Sequence, residues 1–130
     1  MSTLKVNTIQ DSSGSNSSTS EQIKQGRVKA WVRFKSNGSQ SIYDSFNISS
    51  VTDDAYGRFT VNFSTAFSNA NYAFFGNCSS GGDNGNESVL SIHSSNSNAQ
   101  TTYCRFRVTK TINGDYNEKD TTAIGFIGDN

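Results

Sequence analysis

The sequence predicts an all-β chain, an antiparallel β-sandwich of about seven strands carrying an extended N-terminal arm. Three observations predict it. Short runs of alternating apolar and polar residues recur along the chain, and strict period-2 alternation is the mark of a half-buried strand. Each run is bounded by Ser, Asn, Asp or Gly clusters at near-regular spacing, as turns require. No stretch has a helical period of useful length, and the abundant Ser and Asn favour turns over helix interiors because their side chains compete for backbone hydrogen bonds.

The first apolar run, Leu4-Lys5-Val6-Asn7-Thr8-Ile9, is cut off from everything apolar downstream by the Ser-rich segment 11–20. A strand this short has no core of its own, so Leu4, Val6 and Ile9 can be buried only against a neighbour. Residues 1–24 are therefore read as an attachment arm and spacer, and 25–130 as the sandwich domain. Residues 21–26 tolerate about one helical turn. A clear strand follows, with Val28, Ala30, Val32 and Phe34 on one face and Lys29, Trp31, Arg33 and Lys35 on the other. Further strands are expected over 41–48, 58–63, 72–78, 88–93, 101–108 and 122–127. Their inward faces supply Phe59, Val61, Phe63, Cys104, Phe106, Val108, Ile124 and Phe126, with Phe74 or Phe75. Trp31, Tyr103, Arg105 and Arg107 fall on faces that should be wet, and exposed aromatics on a small domain mark a contact surface, here read as a subunit interface.

Seven strands running alternately up and down from the arm place the loops 36–40, 65–71 and 94–100 together at the end far from it. Their tips are rich in neutral donors and acceptors, which makes Asn37, Gln40, Asn69, Asn71, Asn96 and Asn98 the candidate receptor-binding residues. The loops 49–57, 79–87 and 110–120 then lie beside the arm and hold most of the acidic residues.

The apolar fraction of 32% is low, so the core should be thin. Eleven basic residues balance 11 acidic ones, which argues against nucleic-acid wrapping. No run is long enough to span a bilayer, and Met1-Ser2-Thr3-Leu4 lacks the basic-then-apolar start of a secretory signal, so the chain is expected in the cytoplasm and its Asn-x-Ser sequons without glycan. Cys78 and Cys104 have no CxxC spacing and read as free thiols, although adjacent strands would allow a bridge. His93 stands alone at a strand end, and no nucleophile-elbow, zinc-protease or phosphate-loop spacing occurs. The segment 81–87 has calcium-compatible oxygens without EF-hand spacing, and is read as a solvated turn. No cofactor, metal or enzymatic activity is implied, and no pair of carboxyls suits glycoside hydrolysis.

Several words in order carry a resemblance: Ser2-Thr3-Leu4-Lys5-Val6-Asn7-Thr8-Ile9-Gln10-Asp11, Gln25-Gly26-Arg27-Val28-Lys29-Ala30-Trp31-Val32-Arg33-Phe34, Asp44-Ser45-Phe46-Asn47-Ile48-Ser49-Ser50-Val51-Thr52-Asp53, Thr60-Val61-Asn62-Phe63, Asn71-Tyr72-Ala73 and Gly125-Phe126-Ile127-Gly128-Asp129. Spread along most of the chain, they make it resemble tail-fibre and related virion proteins of marine bacteriophages, in particular a cyanophage-like tail-fibre C-terminal domain. The resemblance implies a homotrimeric β-sandwich on a virion appendage, assembled in the host cytoplasm, mounted on other virion proteins by its N-terminal segment and touching host-surface glycans or proteins without cleaving them. The absence of a fibrous shaft in the sequence keeps a capsid decoration or tail adaptor open beside the fibre reading. A lectin-like glycan-binding module is a further alternative.

Overall fold

The computed structural model of the chain describes residues 1–79, 87–93 and 98–128. The N-terminal segment forms a minimal hairpin of β1 (Thr8–Ile9) and β2 (Ser18–Thr19), followed by the helix α1 (Ser20–Gly26). The Ser-rich spacer is thus structured. The carboxylate of Asp11 accepts from Ser13 N, Ser13 Oγ, Ser15 N and Asn16 Nδ2 at 2.7–3.1 Å, closing the turn between β1 and β2. These bonds, led by the Ser13 hydroxyl, hold the Asp11 carboxyl below its usual pKa. A capping box starts the helix: Thr19 Oγ1 accepts from Gln22 N (3.2 Å) while Gln22 Oε1 accepts from Thr19 N (2.9 Å). The helix runs on to Gly26, two residues past position 24.

The expected all-β sandwich is present, with eight strands among the described residues. These are β3 (Val28–Lys35), β4 (Ser41–Phe46), β5 (Ile48–Ala55), β6 (Arg58–Phe63), β7 (Ala73–Cys78), β8 (Ser88–Ile92), β9 (Tyr103–Lys110) and β10 (Thr122–Ile127). They pair antiparallel throughout, as one sheet in the order β4-β3-β10-β7 and a second in the order β5-β6-β9-β8. The chain passes from the first sheet to the second at Asn47, whose positive φ of 55° turns the corner. Its side chain fastens both sides, with Nδ2 donating to the carbonyls of Lys29 (3.1 Å) and Thr65 (3.2 Å) and Oδ1 accepting from Thr65 N (2.7 Å).

The additional strand is β5, which the sequence reading assigned to a loop. Register shifts between Ile48 and Ser50 and between Asp53 and Ala55 leave only Ile48 and Val51 packed on the core, three residues apart. Bulges on an edge strand break the period-2 pattern by which strands are recognised. The turn into β6 is made by Gly57 at φ +67°, where an added Cβ would lie 2.7 Å from the carbonyl oxygen of Asn117.

Phenylalanine fills the core. Phe34, Phe59, Phe106 and Phe126 are at most 2% exposed, beside Val32, Val61, Val108 and Ile124. Rings from the two sheets meet edge to face, Phe34 on Phe59 at 4.8 Å, Phe63 on Phe126 at 4.9 Å and Phe74 on Phe106 at 5.1 Å. Large rings let a chain poor in aliphatic residues fill the space between its sheets. Of the Phe74 and Phe75 pair, Phe74 faces inward and Phe75 is half exposed.

Candidate functional site

Adding β5 changes the parity of the chain, so the described loop residues after it lie at the end opposite to the one expected. Asn37 and Gln40 do lie far from the arm, and there Ser36 N and Asn37 N donate to the carbonyl of Lys119 (3.0 and 3.2 Å) and Asn37 Nδ2 to Asp120 (3.3 Å). The 111–121 connection and the Gly57 turn share that end with them. Asn69 and Asn71 lie at the arm end instead, bordering a cleft of about 300 Å³ with Gln25, Ile127 and Gly128. The loop over 64–72 is pinned there by Phe67 N donating to Thr101 O (2.9 Å) and by the Tyr72 hydroxyl, which lies 3.0 and 3.1 Å from the carbonyls of Gln100 and Tyr103. Asn98 is at this end too, but buried, and Asn96 lies outside the described residues. The five described polar residues are therefore divided between the two ends and do not form one apical surface.

The expected interface set is divided as well. Trp31 is on the outer face of the first sheet, whereas Tyr103, Arg105 and Arg107 share the outer face of the second. The sequence could not separate them, because period 2 gives the face of a strand but not the sheet to which it belongs.

On the first sheet, register aligns Phe46, Trp31, Gly125 and Phe75 in one row across all four strands. Phe46 is 56% exposed, Phe75 50% and Trp31 36%. Gly125 keeps the row flat: the position of a Cβ there is taken by the Phe75 ring, whose Cζ would be 2.3 Å away. Trp31 and Phe75 thus border a shallow apolar cavity of about 470 Å³, with Ala123 and Gly125 as its floor and Arg33 and Asn77 on the next row. The Arg33 guanidinium lies 5.4 Å from the centre of the Tyr43 ring, which extends the aromatic area toward the edge. Phe46 and Phe75 were missed as surface residues because each sits in a run that reads equally well with either face inward.

The outer face of the second sheet is polar. Arg58 stands directly across from Arg107, and Thr60 from Arg105. A cleft of about 340 Å³ opens there between Asp54, Arg58, His93, Asn98 and Arg105. The sequence had assigned Asn98 and Arg105 to different surfaces. Their meeting depends on the Asn98 carbonyl, which accepts from Arg105 N (2.7 Å) beside the end of β8.

The arm leaves its apolar residues unburied, Leu4 at 84%, Ile9 at 55% and Val6 at 43% exposure. They border a groove against Ile23 of α1, held open by Ser20 N donating to Asn7 O (3.2 Å).

Neither cysteine is bridged: Cys104 is buried in the core and Cys78 half-buried on the other sheet. Burial pushes the Cys104 thiol up to about 11, raises that of Cys78, and raises the Tyr72 hydroxyl beside Cys104. Among the described residues no group of three His, Cys, Asp or Glu side chains is placed to hold a metal ion, and residues 80–86, which include most of the calcium-compatible segment, lie outside that description. Among the described residues no helix is long and apolar enough to cross a membrane. Comparison of the chain with family models, with curated proteins and with solved structures finds no match.

Proposed function

We propose that this chain is a non-enzymatic virion protein, a homotrimeric component of a phage tail fibre or tail appendage that helps hold the particle to its host. The observation that carries the reading is the row Phe46, Trp31 and Phe75 over the flat floor at Gly125. A β-sheet that turns three large aromatics to solvent in register is built to be covered. Three copies turning this face to a common axis would cover it, with each row packing on its two neighbours. The exposed Leu4, Val6 and Ile9 supply the second contact, adding an apolar edge to another virion protein.

A capsid decoration or tail adaptor uses the same trimer and arm, and the division of the polar loop tips between the two ends favours this more structural role. The two readings separate on the particle, where copy number and position differ. The test of both is the solution mass of the full-length chain by light scattering. A trimer is expected. A monomer at all concentrations up to the millimolar range would refute assembly through the aromatic row.

A further inference from the structure

We propose that the cleft on the outer face of the second sheet binds an acidic sugar, a hydroxylated ring bearing a sulfate or carboxylate, with Arg58 and Arg105 on the anionic group and Asn98 on a ring hydroxyl. The biological use of this site rests on the attachment reading above, but the chemistry does not.

Three guanidiniums, Arg58, Arg105 and Arg107, project from neighbouring positions of β6 and β9. Like charges facing each other across a sheet are destabilising unless something neutralises them. Among the described residues no ion pair does: Asp54, a carboxylate in the cleft lining, accepts a 2.6 Å bond from the Thr60 hydroxyl and balances at most one of the three charges, and the ion pairs, Lys24 with Glu21 and Lys35 with Asp120, lie elsewhere. Two of the guanidiniums are held in place on aromatic rings, Arg58 at 5.2 Å from the centre of Tyr116 and Arg105 at 5.1 Å from that of Tyr103. Fixed forks in excess over the one carboxylate at the cleft are suited to an oxyanion, which accepts two N–H bonds from one guanidinium.

Two buried polar atoms at the cleft lack partners, one donor and one acceptor: Arg58 Nε and Asn98 Oδ1. The orientation of the Asn98 amide is fixed because Nδ2 donates to the His93 carbonyl, which leaves Oδ1 as the acceptor. Asn98 is 2% exposed, so this oxygen is already desolvated and needs a donor. A bare anion such as sulfate satisfies the arginines and not Asn98. A sugar hydroxyl beside an anionic substituent satisfies both, and the cleft volume is at the lower end of the usual range for ligand sites. Because the cleft and the aromatic row are on opposite sheets, assembly through one leaves the other open.

The experiment is calorimetric titration of the full-length chain with a sulfated galactose disaccharide, a galacturonic acid disaccharide, neutral galactobiose and inorganic sulfate, with the oligomeric mass read on the same sample. At least one acidic disaccharide should bind ten or more times more tightly than galactobiose and than sulfate. The double variant Arg58→Gln/Arg105→Gln should weaken it at least tenfold, and Lys35→Gln on the opposite sheet should leave it unchanged. If the first variant does not fold, amide shifts of the unmodified protein replace it, and the largest should fall at Asn98, Arg105 and their strand neighbours. Equal binding of galactobiose or of sulfate, equal loss in both variants, or shifts confined to another face would overturn the assignment. A trimer that binds none of the sugars refutes the cleft alone, and a monomer that binds refutes only the assembly.

Discussion

Replacing Phe46 and Phe75 by Thr separates assembly from folding, because both rings are largely outside the core of the protomer. With side-chain areas of roughly 200 Å² each and exposures of 56% and 50%, the two leave about 200 Å² of apolar surface to be covered by neighbours. At about 25 cal/mol per Å² this is about 5 kcal/mol for each protomer, an upper limit that applies if the trimer buries both rings completely. Half of that would still weaken association roughly 100-fold. Thr keeps the β propensity of both positions, so the cost to the fold should be small: about 1 kcal/mol from Phe75, which covers Gly125, and less from Phe46. The expected result is a trimer for the unmodified chain and a monomer for the variant at about 10 μM in light scattering, with melting temperatures that differ by only a few degrees once the concentration dependence of the trimer is allowed for. A variant that remains trimeric would refute the argument, since no other row of exposed aromatics crosses a sheet among the described residues. A variant that fails to fold would show that these rings stabilise the protomer itself.

Thr122 is fully buried and its Oγ1 has no partner, so the near-isosteric Thr122→Val should raise the unfolding free energy by about 1 kcal/mol in a urea titration; an unchanged or lower midpoint would mean that the hydroxyl is satisfied. Cys104 titrates near 9.0 when unfolded and about 11 when folded, so its contribution to stability is intact below pH 9 and is lost as pH rises toward 11, by about 1.4 kcal/mol per pH unit. Cys104→Ala should flatten that part of the pH profile of chemical unfolding, and an equally steep profile in the variant would assign the loss to Tyr72 or other groups. Deleting residues 1–17 keeps the Thr19 and Gln22 capping box, so the domain should fold and form trimers but fail to incorporate into particles; incorporation at normal copy number would remove the arm from the attachment reading.

The sandwich itself was legible because β6, β9 and β10 alternate cleanly and β3 does so from Ala30 onward, and burying one face of each already requires two sheets; at the start of β3 a register irregularity opposite Phe126 and Ile127 reverses the expected faces, leaving Val28 exposed and Lys29 buried. Their inward residues were assigned correctly from Phe59 to Phe126. The short helix was visible in its Glu21 to Gly26 stretch, whereas the turn organised by Asp11 was hidden in a Ser-rich segment that reads as spacer. The loop assignment failed at one point, β5, whose bulges replace the two-residue repeat by the three-residue gap from Ile48 to Val51. One unrecognised strand was enough to move Asn69, Asn71 and Asn98 to the other end of the molecule.

Alternation along a strand is a local property, fixed by the geometry of the extended backbone, so the sequence by itself determined the fold class, the strands of regular period and most of the core. The assignment of strands to sheets is not local. It depends on which distant edges find hydrogen-bond partners, and only the tertiary structure decided that Trp31 stands in a row with Phe46 and Phe75 while Arg105 joins Arg58 and Asn98 on the opposite face. Both candidate surfaces are products of register between strands far apart in the chain, and register is set by the packing of the whole core rather than by any segment within it.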